Sequence, residues 1–401
     1  MSGAWLSVVG IGEDGLAGLS AAAATLVANA EVLVGGERHL AMVASGTAER
    51  LSWLSPFAAN LERLAALAGR RVCVLASGDP MWFGIGATLA RRFPPDQLTV
   101  IPHPGAFSLA AARLGWPLNE VICLSVHGRP IEIVSLHLAP GGRLLILAED
   151  GQSPGRLAAL LTARGFGASR LTVFERLGGP AERCRGGRAD AWPAAPADDL
   201  NTVAVELVAD PMAAPLPRVP GLPDSAFLHD GQLTKREIRA ATLAALAPWP
   251  GACLWDVGAG CGSVAIEWAR AGGRAVAIEP SPRRLDMIAH NASRLGVPDL
   301  LLIAGTAPAV LADLDGRPDA VFVGGGLSLP GLLDRCWESL PAGGRLVANA
   351  VTAEGEATLF AWHAGHGGDL VRLSVSRLSA TGRFRTWHPA RPVTQYCGHK
   401  P

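Results

Sequence analysis

The chain has 401 residues, 49% of them hydrophobic, and 35 Lys and Arg balance 35 Asp and Glu. That length exceeds one ordinary core and predicts two domains. Zero net charge gives no general electrostatic case for nucleic acid or a membrane surface.

The N-terminal stretch "MSGAWLSVVGIG" has no basic region before its apolar residues, so no signal peptide is predicted. Apolar runs that read as strands follow in order: "WLSVVGIG", "EVLVGG", "RVCVLASG", "LTVIPH", "EVICLSV", "RLLILAE", "SRLTVFERL" and "LNTVAVELVA". Helix-like stretches such as 19–30 and 156–164 lie between several of them. Alternation of this kind predicts α/β architecture with a largely parallel sheet. Five prolines in 210–227 break the pattern and predict a semi-rigid linker.

Alternation then restarts with a helix near 234–247 and strands "CLWDVGA", "RAVAIEP", "LLLIAG", "DAVFVGGG", "RLVANAV" and "LVRLSVSRL". That is the count of a complete doubly wound domain. The predicted boundaries are therefore 1–209, 210–227 and 228–401. No stretch of about 20 residues is continuously apolar, so no membrane span is expected. The seven cysteines are scattered without metal-ligand spacing, and "HAGH" (363–366) has no further ligands nearby, so no metal is expected. Buried thiols in a reducing cytoplasm account for the cysteines. Arginine dominates the cations, with lysine only at Lys235 and Lys400. Genome base composition explains this, as does a ligand rich in carboxylates, which arginine grips with paired hydrogen bonds.

Chemistry concentrates in glycine-rich turns. In "CLWDVGAGCGSVAIEWA" a strand feeds Gly258, Gly260 and Gly262, and a helix follows. Such a turn lets a ligand approach the backbone and offers free N–H groups. Glu279 ends the next strand, where a carboxylate can accept hydrogen bonds from both hydroxyls of a ribose and repels a 2′-phosphate. NAD and S-adenosylmethionine both remain open on this basis. Asp256 just before the first glycine, and a third glycine one place early for the dinucleotide fingerprint, favour S-adenosylmethionine. "GTAP" (305–308) is expected to reach the adenine. The bare backbone of "FVGGG" (322–326) leaves room for a flat, bulky acceptor and favours carbon as the nucleophile.

The set "LTKREIRAATLAAL", "WDVGAGCGSVAIEWAR", "AIEPSPRRLDMIAHNASRLGV", "GTAPAVL", "DAVFVGGG" and "GGRLVANAVT" resembles the decarboxylating precorrin methyltransferases of cobalamin biosynthesis. The resemblance spans about 233–351. It implies that Thr234, Gly258, Ala259, Gly260, Cys261, Gly262, Glu279 and Ala307 line a site for S-adenosylmethionine.

In the first half, "VVGIGEDG" places Gly10 and Gly12 at a strand end. "LASGDPMWFGIG" sets Ser77, Gly78, Asp79 and Pro80 between strand and helix. "PHPGAFS" opens a helix at Phe107 and Ser108, and "SVHGRP" presents His127 and Arg129. These turns resemble the corrin-pathway branch of the tetrapyrrole-type methyltransferases, over about 5–207. That class folds its cofactor into a cleft between two α/β lobes, which implies Gly10, Ser77, Gly78, Asp79, Pro80, Phe107 and Ser108 as cofactor contacts. The first loop departs from the class pattern G-x-G-P-G, so it faces either substrate or cofactor.

The expected architecture is a two-lobed tetrapyrrole-type methyltransferase domain followed by a Rossmann-like methyltransferase domain. Together the resemblances imply two S-adenosylmethionine-dependent methylations of one precorrin, at C5 by the first half and at C15 by the second. The second half would also release CO2 from the ring C acetate. His229, Lys235 and Arg236 are the candidate proton donors, with Arg383, Arg385 and His388 from "TGRFRTWHPARP" as further candidates. Self-association is expected on the resemblance alone, and neither nucleic acid nor membrane is an expected partner. The competing readings are an NAD-linked oxidoreductase, a non-catalytic macrocycle carrier and a nucleic-acid methyltransferase.

Overall fold

A computed structural model describes residues 4–43, 46–213 and 215–401. Contacts divide the chain into two units, Met1–Ile131 with Ala139–Ala214, and Glu132–Leu138 with Pro215–Pro401.

The first unit holds two five-stranded sheets. One consists of β1 (Leu6–Ile11), β2 (Val32–Gly35), β3 (Glu49–Ser52), β4 (Val72–Ser77) and β5 (Leu98–Ile101), in the order β3-β2-β4-β1-β5. All its pairings are parallel. Its inner strands are near-continuous apolar runs because both faces are covered. Successive residues feed opposite faces: Leu6, Val8, Val72 and Val74 pack in one cluster, and Val9, Ile11, Cys73 and Leu75 in another. The other sheet consists of β6 (Ile122–Ser125), β7 (Arg143–Leu147), β8 (Arg170–Glu175), β9 (Arg183–Arg188) and β10 (Asn201–Glu206), ordered β6-β7-β10-β8-β9. Only β6 and β7 pair in parallel there. The helix Ala106–Leu114 places Phe107, Ala110 and Ala111 against Leu145, Phe174 and Ala204 of this sheet.

The second unit is built on one seven-stranded sheet. Its strands are β11 (Cys253–Val257), β12 (Arg274–Glu279), β13 (Leu301–Ala304), β14 (Ala320–Val323), β15 (Arg345–Ala350), β16 (Asp369–Leu373) and β19 (Val393–His399). The order is β13-β12-β11-β14-β15-β19-β16, with β19 antiparallel to both neighbours. A separate hairpin of β17 (Ser376–Thr381) and β18 (Phe384–Pro389) connects β16 to β19. Chain order reverses between β11 and β14, and a crevice opens at the strand ends of such a switch point.

The proline-rich segment is not a free spacer over its whole length. From Leu216 onward it packs into the second unit. Leu222, Ala226 and Phe227 are buried beside Cys261, Ile266, Ala292 and Leu295. Prolines leave neighbouring carbonyls without regular partners, and two buried arginines take them up. Arg270 donates to the carbonyls of Leu216 and Pro217 at 3.0 and 3.1 Å. Arg239 donates to that of Leu222. Glu267 accepts the N–H groups of Gly221 and Leu222 at 2.6 and 2.9 Å and pairs with Arg239 at 2.5 Å. Arg239 also donates to the Thr234 carbonyl, so the same cluster fixes the chain that enters the switch-point crevice.

Candidate functional site

Each unit has a cavity at the carboxyl ends of its parallel strands. In the second unit it measures about 600 Å3 and is lined by residues 231–235, the turn 258–260, Asp256, Phe322, Gly324, Asn349, Arg377 and Arg391, among others. Gly258 and Gly260 have φ of +71° and +62°, the left-handed region that side chains disfavour. A Cβ on Gly258 would lie 3.5 Å from the Gly325 nitrogen, so two glycine-rich loops meet here through bare backbone. Gly262 has a different duty. Its Cβ would strike the Ile288 side chain at 2.7 Å, so this glycine seats one helix on the next.

Asp256, next to last in β11, lines this cavity and is 1% exposed. Its Oδ2 accepts the Ala265 N–H at 3.0 Å, while Oδ1 is buried without a hydrogen-bond partner among the described residues. Burial pushes its pKa up to about 7, with Glu279 adding to the rise and the Ala265 N–H opposing it. A buried acceptor without a donor is costly, and a ligand ammonium group would relieve it. A pyrophosphate would worsen it. The cavity therefore fits the amino-acid end of S-adenosylmethionine.

Glu279 is also buried, but its oxygens are engaged. Oε2 accepts the Gly260 N–H at 2.9 Å, Oε1 accepts that of Ser281 at 3.2 Å, and Arg284 lies 3.8 Å away. It holds the glycine turn from behind and does not line the cavity. Cys261 and Ala307 belong to hydrophobic cores and likewise stay outside it. Thr234, Gly258, Ala259 and Gly260 do line it. Of the candidate proton donors, Lys235 lines the cavity; His229 and Arg236 do not. His229 accepts the Gly231 N–H at 3.1 Å, and Lys235 lies 3.9 Å from Asp224. Arg383, Arg385 and His388 sit on the exposed hairpin and its turn.

The first unit's cavity measures about 820 Å3 and lies between its two sheets. Ser77, Gly78, Asp79, Phe107 and Ser108 line it, with Arg38, His103, His127, Arg129 and Asn201. Gly78 has φ +53°, and a Cβ there would sit 2.6 Å from the Gly105 Cα, so the two turns touch only because both are glycine. Gly10 and Pro80 support this junction without lining the cavity. A Cβ on Gly10 would overlap the Gly78 carbonyl at 2.0 Å, and the Pro80 carbonyl lies against Gly84 and Gly86.

Asp79 turns its loop by accepting the Met81 N–H at 2.9 Å. Ser77 Oγ lies 2.9 Å from His39 Nε2 and 3.0 Å from Arg38 Nη2. Burial and the adjacent Arg38 push His39 down to about 4, so it is neutral at pH 7. Asn201 donates to the carbonyls of Asp150 and Asp198 at 3.0 and 2.8 Å, and its Oδ1 is left buried without a partner among the described residues. This cavity too ends in an acceptor awaiting a donor. Sequence reasoning missed Asn201, Asn349 and Arg391, which sit outside any glycine turn, and Arg38, two places after Gly36. "SVHGRP" was the available signal for His127 and Arg129.

Residues 6–191 match the tetrapyrrole (corrin/porphyrin) methylases, and residues 225–400 match the precorrin methyltransferase domain family. Two methyltransferase classes thus share one chain. A Sinorhizobium sp protein named precorrin-6Y C(5,15)-methyltransferase [decarboxylating] is 49% identical over 395 residues, covering 98% of this chain and 95% of that one. A protein of the same name from Mycobacterium tuberculosis is 45% identical, covering 97% and 98%. The chain belongs to the precorrin-6Y C(5,15)-methyltransferase (decarboxylating) family. The crystal structure of the C-terminal domain of precorrin-6Y C5,15-methyltransferase from Rhodobacter capsulatus is 50% identical, covers 46% of this chain and 100% of that one, and has a TM-score of 0.44.

Proposed function

We propose that this chain methylates a precorrin at C5 and C15 with S-adenosylmethionine and releases CO2 from the ring C acetate. In this reading the first unit acts at C5, and the second at C15 and in the decarboxylation. The relatives that share nearly its full length bear this activity in their names. The observation that carries the reading is the pair of glycine-walled cavities, each with one buried, unsatisfied acceptor: Asn201 Oδ1 and Asp256 Oδ1.

When bound, S-adenosylmethionine supplies an electrophilic sulfonium methyl. The protein's work is then alignment and exclusion of water. In the second unit Asp256 takes the ammonium, and the 258–260 turn admits the cofactor to backbone contact. Phe322 and Gly324 form a wall without polar side chains, where a flat ring can lie. A reduced macrocycle is rich in electrons at its meso carbons, so no strong base is required. For the decarboxylation, the C–CO2 bond breaks and its electron pair enters the conjugated ring. A proton then adds to the former methylene carbon. Lys235 is the cavity's exposed proton carrier and the assigned donor.

In the first unit, Ser77 and neutral His39 hold Arg38 at the cavity, and the 77–79 and 105–108 turns form the cofactor cradle. We place the enzyme in the cytoplasm; among the described residues no helix is long and apolar enough to cross a membrane. Mass spectrometry of products tests the division of labour. Asp79→Ala should stall after the C15 methylation with CO2 lost, and Glu279→Ala after the C5 methylation with CO2 retained. Normal double methylation by both variants would refute it.

A further inference from the structure

The second cavity contains three cations among the described residues: Lys235, Arg377 and Arg391. They are not equivalent. Arg377 donates to Glu237 of the helix Arg236–Leu246. Lys235 stands 3.9 Å from Asp224. Arg391 has neither an ion pair nor a hydrogen bond among the described residues.

Its backbone, by contrast, is firmly placed. Pro392 follows it and restricts Arg391 to extended conformations. On one side the Ala390 N–H closes the hairpin base onto the Val375 carbonyl at 2.8 Å. On the other, Val393 is 6% exposed and pairs with Leu373 in the sheet. A guanidinium with five free donors thus projects from a rigid corner of the cavity wall.

Resting on the function proposed above, we infer that Arg391 is the specificity-determining anchor for a peripheral carboxylate of the macrocycle. Arg377 is already paired with Glu237 and contributes less. The gripped group cannot be the acetate that leaves. An arginine bound there would stabilise the carboxylate, and the electron pair must instead flow from it into the ring. Arg391 therefore fixes ring orientation through a neighbouring side chain and stays apart from the bond that breaks.

The test uses the full chain with Arg391→Ala and Arg391→Lys. Formation of the decarboxylated product is followed against precursor concentration. Loss of a charged hydrogen bond should raise KM roughly 10- to 100-fold in Arg391→Ala, with a several-fold smaller effect on kcat. Arg391→Lys should recover part of that loss, and raised ionic strength should weaken the wild type more than Arg391→Ala.

Uroporphyrin, a stable flat polycarboxylate, should inhibit wild-type decarboxylation better than its methyl ester, and Arg391→Ala should lose that preference. S-adenosylhomocysteine affinity, read by calorimetry, should stay within about twofold in both variants, since Arg391 lies outside the cofactor turn. A KM for Arg391→Ala within about threefold of wild type, or an intact preference for the free acid, overturns the anchor while leaving the functional reading standing. Failure of the wild type to bind S-adenosylhomocysteine overturns that reading and the anchor with it.

Discussion

Asp256 and Glu279 lie at the carboxyl ends of adjacent parallel strands, next to last and last, and both are buried, yet their surroundings treat them differently. Glu279 has both oxygens committed to backbone N–H groups, whereas Asp256 has one oxygen committed and one orphaned. With a folded pKa of about 7 against 3.8, Asp256 contributes stability that is fully present below about pH 4. That contribution is lost as pH rises through 7, and the difference is on the order of 4 kcal/mol at most. Asp256→Asn should abolish this part of the pH dependence in urea titrations of the cofactor-free protein.

Binding of a cationic ammonium should ionise the same carboxyl. Calorimetry near pH 7 in buffers of different ionisation enthalpy should then detect release of about half a proton per site in the wild type. Asp256→Asn should release none there and bind the cofactor more weakly. Proton release that survives the substitution unaltered would contradict the role given to Asp256.

At the scale of elements, the sequence made the inner strands and both glycine turns legible, because buried parallel strands are continuous apolar runs and their turns demand glycine. Gly78 shows the demand directly. Gly78→Ala combines a left-handed φ with a 2.6 Å overlap on the Gly105 Cα, and should cost at least ~2 kcal/mol by denaturant unfolding. A cost near zero would mean the two turns separate readily.

The end of the chain was less legible. "LVRLSVSRL" read as one strand, but the structure divides it between β16 and β17, and β18 and β19 went unseen. β17 and β18 are exposed throughout, so no burial pattern marks them. β19 hides Thr394 and Gln395 in the interior. Gln395 is satisfied there by Thr242 and Asn349 at 3.0 and 2.9 Å, and Thr394 by Glu356 at 2.7 Å. Such partners come from distant parts of the chain, and local periodicity carries no trace of them. Asn201 and Arg391 were missed for the same reason, since one enters its cavity at the start of β10 and the other from the connection just before β19, with no glycine turn to mark either.

For the whole molecule, the segment following residue 214 matters most. A composition of prolines predicted a spacer, but the buried Arg239, Glu267 and Arg270 that capture it lie 17 to 54 residues further on. Removing the Glu267 charge leaves the buried Arg239 with only Asp224, 3.3 Å away, as a charged partner, so Glu267→Gln should destabilise the second unit by about 1–3 kcal/mol. It should also expose the segment to proteases. Arg218 donates to the Arg270 carbonyl at 3.1 Å, and trypsin should cut after it slowly in the wild type and faster in Glu267→Gln. Equal cleavage rates would show that the segment is loose without the ion pair's help.

The capture works through main-chain atoms: the carbonyls of 216, 217 and 222 and the amides of 221 and 222. Replacing side chains one at a time along this stretch would report lost packing, at the buried Leu222 above all, but would leave those groups where they are. Removing a single residue between 217 and 221 would instead put the carbonyls of 216 and 217 out of register with the groups at 221 and 222, so that Arg270 and Arg239 could not both keep their acceptors. The connection is written in spacing rather than in spelling.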